Sequence, residues 1–150
     1  MSLSLPASAP TDQKLYSPGQ IALAAFIGAP LAACWFWSRN YLQLGNKAAS
    51  TQCLIWGVVS TVVLFTVTWF LPDNFPGSGI PIGYTIGFFM AVKGAHGPII
   101  DQHLAGGGRL GSWGAVIGIS LLFFAGILAV ALGVVTLFYM AGYVPEESPA

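Results

Sequence analysis

Residues 93–109 read KGAHGPIIDQHLAGGGR and separate two long hydrophobic segments of the chain. This stretch holds both histidines of the sequence, two of its five basic residues and a cluster of glycines. Because its polar residues interrupt the apolar pattern, they decide where the third hydrophobic segment ends. We interpret the stretch first as a connection between two helices whose charges lie at a membrane surface, and second as a candidate binding surface.

The composition of the whole chain indicates an integral membrane protein. Of its 150 residues, 55% are hydrophobic and only 7% are charged, whereas a soluble domain carries about 25% charged residues. The formal net charge is zero and no basic run occurs, so nucleic acid is not an expected partner. We expect one membrane domain over residues 16–144, with short tails at residues 1–15 and 145–150.

The hydrophobic pattern predicts an all-α membrane protein with four transmembrane helices. The predicted spans are residues 17–38, 51–71, 77–95 and 113–140. The third is short, because Lys93 arrives before the roughly 20 apolar residues that a full crossing needs, and a re-entrant half-helix is the alternative there. In the first span, Pro30 predicts a kink near Phe26. We expect this kinked helix in the interior of the bundle.

Charge placement predicts how the helices are oriented in the membrane. Arg39 and Lys47 fall in the first connection, Lys93 and Arg109 fall in the third, and Lys14 lies on the other side. Basic residues concentrate in cytoplasmic loops, so the prediction is N-out and C-out in a bacterial inner membrane. A re-entrant third segment would instead move the C-terminus inside.

Small residues at helical spacing mark predicted helix-packing positions, since close approach of backbones drives helix association in lipid. These positions are Ala24, Gly28, Ala32, Gly83, Gly87, Gly114 and Gly118. Cys34 and Cys53 are expected near the same end of adjacent helices, as small packing residues. Leu-Ala-Ala before Cys34 also resembles a lipoprotein signal, so lipidation of Cys34 is kept as a lesser alternative.

Five polar residues near the third helix are candidates for a relay or a partner-binding surface: Lys93, His96, Asp101, His103 and Arg109. If the helix continued through them, a cation, an imidazole and a carboxylate would share roughly one face. Gly97-Pro98 argues against that continuation, because the residue before proline avoids helical geometry. A metal site at the histidines and a phosphate cradle at the glycines are weaker alternatives. No catalytic residue, metal or cofactor is predicted.

Two stretches carry a resemblance to a known group of proteins: YSPGQIALAAFIGAPLAA at residues 16–33 and RNYLQLG at residues 39–45. Together with IDQH at residues 100–103 and Ser-Trp at residues 112–113, they resemble small multi-pass bacterial inner-membrane proteins of unassigned function. The resemblance implies a bacterial inner-membrane location, and it implies no reaction, cofactor or site residue.

Two hypotheses for function follow. The first is a non-enzymatic protein that acts by protein–protein interaction in the bilayer, for example immunity against a membrane-active toxin, with a protein partner or a second copy of the chain. The second is a small transporter or channel subunit that uses Lys93, His96 and Asp101. The predicted spans contain no Asp or Glu, which counts against proton-coupled transport.

Overall fold

The fold was analysed in a computed structural model, which describes residues 13–72 and 76–142. In chain order its elements are β1 (Lys14–Leu15), α1 (Pro18–Gln43), α2 (Lys47–Trp69), α3 (Gly79–Ala105), β2 (Arg109–Leu110) and α4 (Trp113–Met140). The predicted all-α class is therefore confirmed. By length and apolar composition, α1, α2 and α4 are able to cross a membrane; α3 has 27 residues but does not meet the same measure of apolarity.

Local side chains explain where three of the helices begin. The side chains of Ser17, Asn46 and Ser112 each accept a hydrogen bond from a backbone N–H three residues further on. At α1 this is a complete capping box, because the side chain of Gln20 also accepts from the backbone N–H of Ser17 at 2.9 Å. Such caps satisfy N–H groups that a helix leaves free in its first turn.

The first helix, α1, folds back on itself. The backbone N–H of Tyr16 donates to Asn40 Oδ1 at 2.8 Å, and Asn40 Nδ2 donates to the carbonyl of Tyr16 at 2.8 Å. A continuous helix between Pro18 and Asn40 would separate its ends by about 33 Å, at about 1.5 Å per residue. The first half of α1 (residues 18–27) and the second half (residues 30–43) are therefore antiparallel.

The turn between these halves lies at Gly28 and Ala29, immediately before Pro30. Ala29 has φ 61° and ψ 178°, a backbone conformation that residues other than glycine rarely adopt. Proline lacks the N–H that would continue the first half. A break was therefore predicted correctly from Pro30, but it lies two residues beyond Phe26 and it reverses the chain.

This reversal means that residues 17–38 do not form the one straight helix that was expected there. Both ends of α1 lie at the same end of the bundle, so residues 18–43 form a helical hairpin. The prediction that α1 is interior is confirmed: α2, α3 and α4 each pack extensively against α1 and hardly against one another. The buried core centres on residues of α1, among them Ile21, Ala25 and Phe36, with Val92 and Val116 from α3 and α4.

The third helix continues through Gly97-Pro98 to Ala105, so the expectation that residues 93–109 form a loop is wrong for most of that stretch. Steric conflict before a proline involves the Cβ of the preceding residue, and Gly97 has none. Val92, Ile99 and Ile100 are buried and hold this part of α3 against its neighbours. The connection is reduced to residues 106–112.

Four of the five basic residues lie at one end of the bundle, which we call the basic end. β1 pairs in parallel with β2, with Lys14 opposite Arg109, and this places the start of α1 beside the start of α4. Arg39 lies next to Asn40 at the end of α1, and Lys47 begins α2 after a three-residue connection. The other end, where α2 and α4 finish and α3 begins, is the distal end.

The described ends of the chain lie at opposite ends of the bundle. β1 is at the basic end, whereas α4 runs 28 residues away from it, a length of about 42 Å. The arrangement N-out and C-out, with both termini on the same side of a membrane, stays a prediction. The hairpin in α1 differs from the single crossing on which that prediction counted.

Candidate functional site

An apolar cleft lies between α2 and α4, beside the second half of α1. Since α2 and α4 both pack on α1 and not closely on each other, a space of about 880 Å³ opens between them. Sites for small molecules typically measure about 300–1,000 Å³. The cleft is thus large enough for a ligand or for part of one.

Most side chains that line the cleft are large and apolar. They include Leu31 and Trp35 from α1, Val58, Val62 and Phe65 from α2, and Ile119, Leu122, Phe123 and Ile127 from α4. The hydroxyls of Thr61 and Thr68 also line it, but they donate to backbone carbonyls of their own helix at 2.8 and 2.7 Å. These walls therefore favour an apolar occupant.

The distal part of the cleft lies beyond the reach of α1. Because α1 turns at Gly28 and Ala29, its halves do not extend to the distal end, whereas α2 and α4 do. A Cβ on Gly28 would lie 2.7 Å from the carbonyl oxygen of Ser120 and 3.3 Å from the Cβ of Phe123. The turn of α1 is therefore pressed against α4 at the inner wall of the cleft.

Arg39 stands at the basic end of the cleft. Its guanidinium carbon lies 4.8 Å from the centre of the Trp35 ring, a cation–π contact, and the Trp35 ring contacts Phe123 of α4 at 6.1 Å. The side chain of Arg39 is exposed. Within residues 13–72 and 76–142 the single acidic residue is Asp101, on α3, and no salt bridge forms to Arg39.

The candidate relay residues do not come together. Lys93 is exposed, with its Nζ 5.8 Å from the Phe89 ring. His96 is fully buried, and its Nδ1 accepts a hydrogen bond from Trp37 Nε1 at 2.8 Å. Asp101 is exposed and lies about 140° around the helix from His96, at about 100° per residue. His96 and Asp101 therefore do not share one face of α3, and Lys93 lies between them, about 60° from His96 and about 80° from Asp101.

The remaining two candidates, His103 and Arg109, lie at the basic end. The ring of His103 packs against Gly108, where a Cβ would clash with it, and Arg109 belongs to β2. The amides of residues 106–108 donate to carbonyls at the end of α3, so they do not form the suggested phosphate cradle. In the part of the chain that the structure describes, no group of three His, Cys, Asp or Glu side chains is placed to hold a metal ion.

The predicted helix-packing positions fall into two groups. Ala24 and Ala32 have no exposed surface, and they lie on the two halves of α1 on either side of Gly28. By contrast, no atom outside the local helix lies within 4 Å of the position of a Cβ on Gly83, Gly87 or Gly118, and Gly114 approaches only Ser112. That these four glycines pack closely against another helix stays a prediction, and that helix would have to belong to a partner.

The two cysteines do lie together, as expected. Cys53 Sγ contacts the carbonyl oxygen of Cys34 at 3.5 Å, and both thiols are free and buried. One turn after Cys53 on α2, a Cβ on Gly57 would come within 2.6 Å of the Cβ of Cys34. Helices α1 and α2 are therefore in close contact at Cys34 and Gly57, and the cleft opens beyond this contact.

Sequence reasoning missed Gln20 and Asn40 as key polar residues. Gln20 is fully buried, and its Nε2 donates to the carbonyl of Gly111 at 2.6 Å. Its spacing from Ser17 is a capping-box pattern, a signal that predicts its role at the helix start but not its bond to Gly111. Nothing in the spacing of Asn40 predicts its contact with Tyr16.

Comparison with protein-family models, curated protein sequences and solved structures gives no match for this chain. The resemblance to small bacterial inner-membrane proteins therefore stays a prediction.

Proposed function

We propose that the chain is a multi-pass membrane protein that acts by non-covalent binding within the bilayer, through the cleft between α2 and α4. The cleft is the observation that carries this proposal, because an apolar space of about 880 Å³ is larger than close helix packing leaves between neighbours. Its two threonine hydroxyls are bonded to their own helices. The walls therefore suit recognition of an apolar molecule more than covalent chemistry.

In the proposed membrane arrangement, α2, α3 and α4 cross the bilayer and α1 is a re-entrant hairpin. The basic end, with Lys14, Arg39, Lys47 and Arg109, faces the cytoplasm of a bacterium by the positive-inside rule. The remaining basic residue, Lys93, lies one helical turn from His96, which contacts α1 near that same end. The proposed orientation is thus N-in and C-out across the inner membrane.

Reporter fusions test this orientation. Alkaline phosphatase joined after Ala150 should be active, because that enzyme matures outside the cytoplasm, while a fluorescent protein that folds only in the cytoplasm should be dark at the same position. Both reporters fused before Met1 should give the reverse pattern. A C-terminus found inside would contradict three crossings.

Binding of a protein partner, including immunity against a membrane-active toxin, remains a proposal for the same cleft. A partner helix would have to approach walls built from Phe65, Phe123 and Ile127, whereas close helix contacts in lipid use small residues. Such bulky walls favour a thinner and more flexible apolar chain. The transport alternative has less support, because Lys93, His96 and Asp101 point in different directions.

Filling the cleft tests the proposed binding. The double variant Gly126→Phe with Ala131→Phe places two rings in the lining of the cleft, and Gly133→Phe is the matched control outside it. The full chain is purified in mild detergent, and the molecules retained per chain are measured by native mass spectrometry. Wild-type protein and the control should retain an apolar component that the filled variant lacks. Equal retention by all three proteins would refute the proposal.

A further inference from the structure

We propose that the cleft binds an anionic phospholipid of the surrounding bilayer, with one acyl chain between α2 and α4 and the phosphate at Arg39. This inference rests on the proposed function of the cleft and names the class of its ligand. It follows from three observations: the order of side chains along α1, the charge of Arg39 at the basic end of the cleft, which we call its mouth, and the length of the walls.

One row of side chains on α1 changes from apolar to cationic along the cleft. Leu31, Trp35 and Arg39 follow each other at intervals of four residues and so lie on one face of the second half of α1. Leu31 and Trp35 line the cleft, and Arg39 stacks on Trp35. An apolar side chain, an indole and a cation in this order match the acyl chain, the interface and the headgroup of a lipid.

Lys47, the nearest other cation on the helices that line the cleft, does not reach the mouth. It begins α2 and lies eleven residues before Val58, the first α2 residue of the lining, which is about 16 Å along the helix. The close contact between Gly57 and Cys34 lies between Lys47 and the cleft. Arg39 is therefore the cation at the mouth.

Among the described residues, no acidic side chain neutralises the charge at this mouth. Asp101, the acidic residue within residues 13–72 and 76–142, lies on α3, which contributes nothing to the lining. Arg39 has no salt-bridge partner within these ranges. An arginine held by stacking keeps its N–H groups available for a phosphate. The complementary group is an anion at the membrane surface.

The walls of the cleft are long enough to hold an acyl chain of one leaflet. At about 1.5 Å per residue, the lining runs about 15 Å on α2, from Val58 to Thr68, and about 24 Å on α4, from Ile119 to Val135. The hydrocarbon core of a bilayer is about 30 Å thick, so each leaflet supplies chains that span about 15 Å. If the basic end faces the cytoplasm, the lipid comes from the leaflet where anionic headgroups attract basic residues.

Fluorescence quenching by brominated lipids tests this assignment. The purified chain is reconstituted in vesicles of neutral phosphatidylcholine that contain a minor fraction of lipid with brominated acyl chains, either phosphatidylglycerol or phosphatidylcholine. The signal of Trp35 is obtained as the difference between each protein and its Trp35→Phe counterpart. Brominated phosphatidylglycerol should quench this signal with about fivefold higher apparent affinity than brominated phosphatidylcholine, because Arg39 contacts its phosphate.

The variant Arg39→Gln should abolish the preference for phosphatidylglycerol. Lys47→Gln and Lys14→Gln, which remove cations at the same end but outside the cleft, should keep the preference. Equal quenching by both lipids in the wild-type protein, lost only when the cleft is filled, would overturn the headgroup assignment and leave the proposed function standing. Quenching of Trp35 that the filled variant does not alter would overturn both.

Discussion

The bond between Asn40 and Tyr16 closes the α1 hairpin, and its removal should weaken the fold measurably. Asn40 is fully buried and makes two hydrogen bonds of 2.8 Å to the backbone of Tyr16. Each bond contributes about 1 kcal/mol, and a buried backbone group left unpaired costs about 1–3 kcal/mol. For Asn40→Ala we therefore expect a loss of about 2–4 kcal/mol in the free energy of unfolding.

Asn46 supplies the matched control for this substitution. Its side chain caps α2 with one hydrogen bond of 3.0 Å to the N–H of Ala49, and loss of such a cap costs about 1 kcal/mol. Unfolding of purified wild-type protein, Asn40→Ala and Asn46→Ala in mixed detergent micelles gives the three free energies. A smaller loss for Asn40→Ala than for Asn46→Ala would show that the Asn40 bonds do not hold the hairpin.

Spin labels at Lys14→Cys and Leu42→Cys report the hairpin itself, because both side chains are exposed. With Tyr16 against Asn40, the two labels should lie within about 20 Å of each other, since two residues of chain add at most about 7 Å on each side. A continuous α1 would separate them by about 40 Å. A single distance near that longer value, measured by double electron–electron resonance, would refute the re-entrant assignment.

Two further substitutions test contacts of α1 with its neighbours, each by the same unfolding measurement. Gly28→Leu should destabilise by at least about 1–3 kcal/mol through overpacking, because its Cβ would lie 2.7 Å from the carbonyl oxygen of Ser120 on α4. Gly83→Leu, in open space, should change stability by less than about 0.5 kcal/mol. Trp37→Phe should cost about 1–3 kcal/mol by leaving the buried Nδ1 of its histidine partner unpaired, whereas Trp56→Phe, at a side chain 67% exposed, should cost far less. If a control substitution lowers the free energy of unfolding as much as the substitution with which it is paired, the tested contact does not stabilise the fold.

The sequence was sufficient to predict α2 and α4. Residues 113–140 were predicted as a helix and form one, and residues 51–71 correspond to a helix over Lys47–Trp69. Long apolar runs between caps determine such helices locally. For α3 the presence of the helix was predicted, but its continuation to Ala105 was not, because burial of Ile99 and Ile100 outweighs the local effect of Pro98.

The hairpin in α1 could not be predicted from the local sequence. Pro30 and the small residues before it predict a break, but a break of any angle has the same sequence signature. The angle is decided by contacts between residues 24 positions apart, Tyr16 and Asn40. The cleft was also not predictable, because side chains that face lipid and side chains that face an apolar cleft have the same composition.

The bond from Gln20 to Gly111 has a consequence for how the protein is made. The two residues are 91 positions apart in the chain, and ribosomes add about 5–20 residues per second. A nascent α1 therefore waits about 5–18 seconds, by this rate, before the segment that receives Gln20 exists. During that interval the side-chain amide of Gln20 lacks the acceptor that it has in the folded protein, so α1, the first helix to be synthesised, completes this contact only after Gly111 has been added.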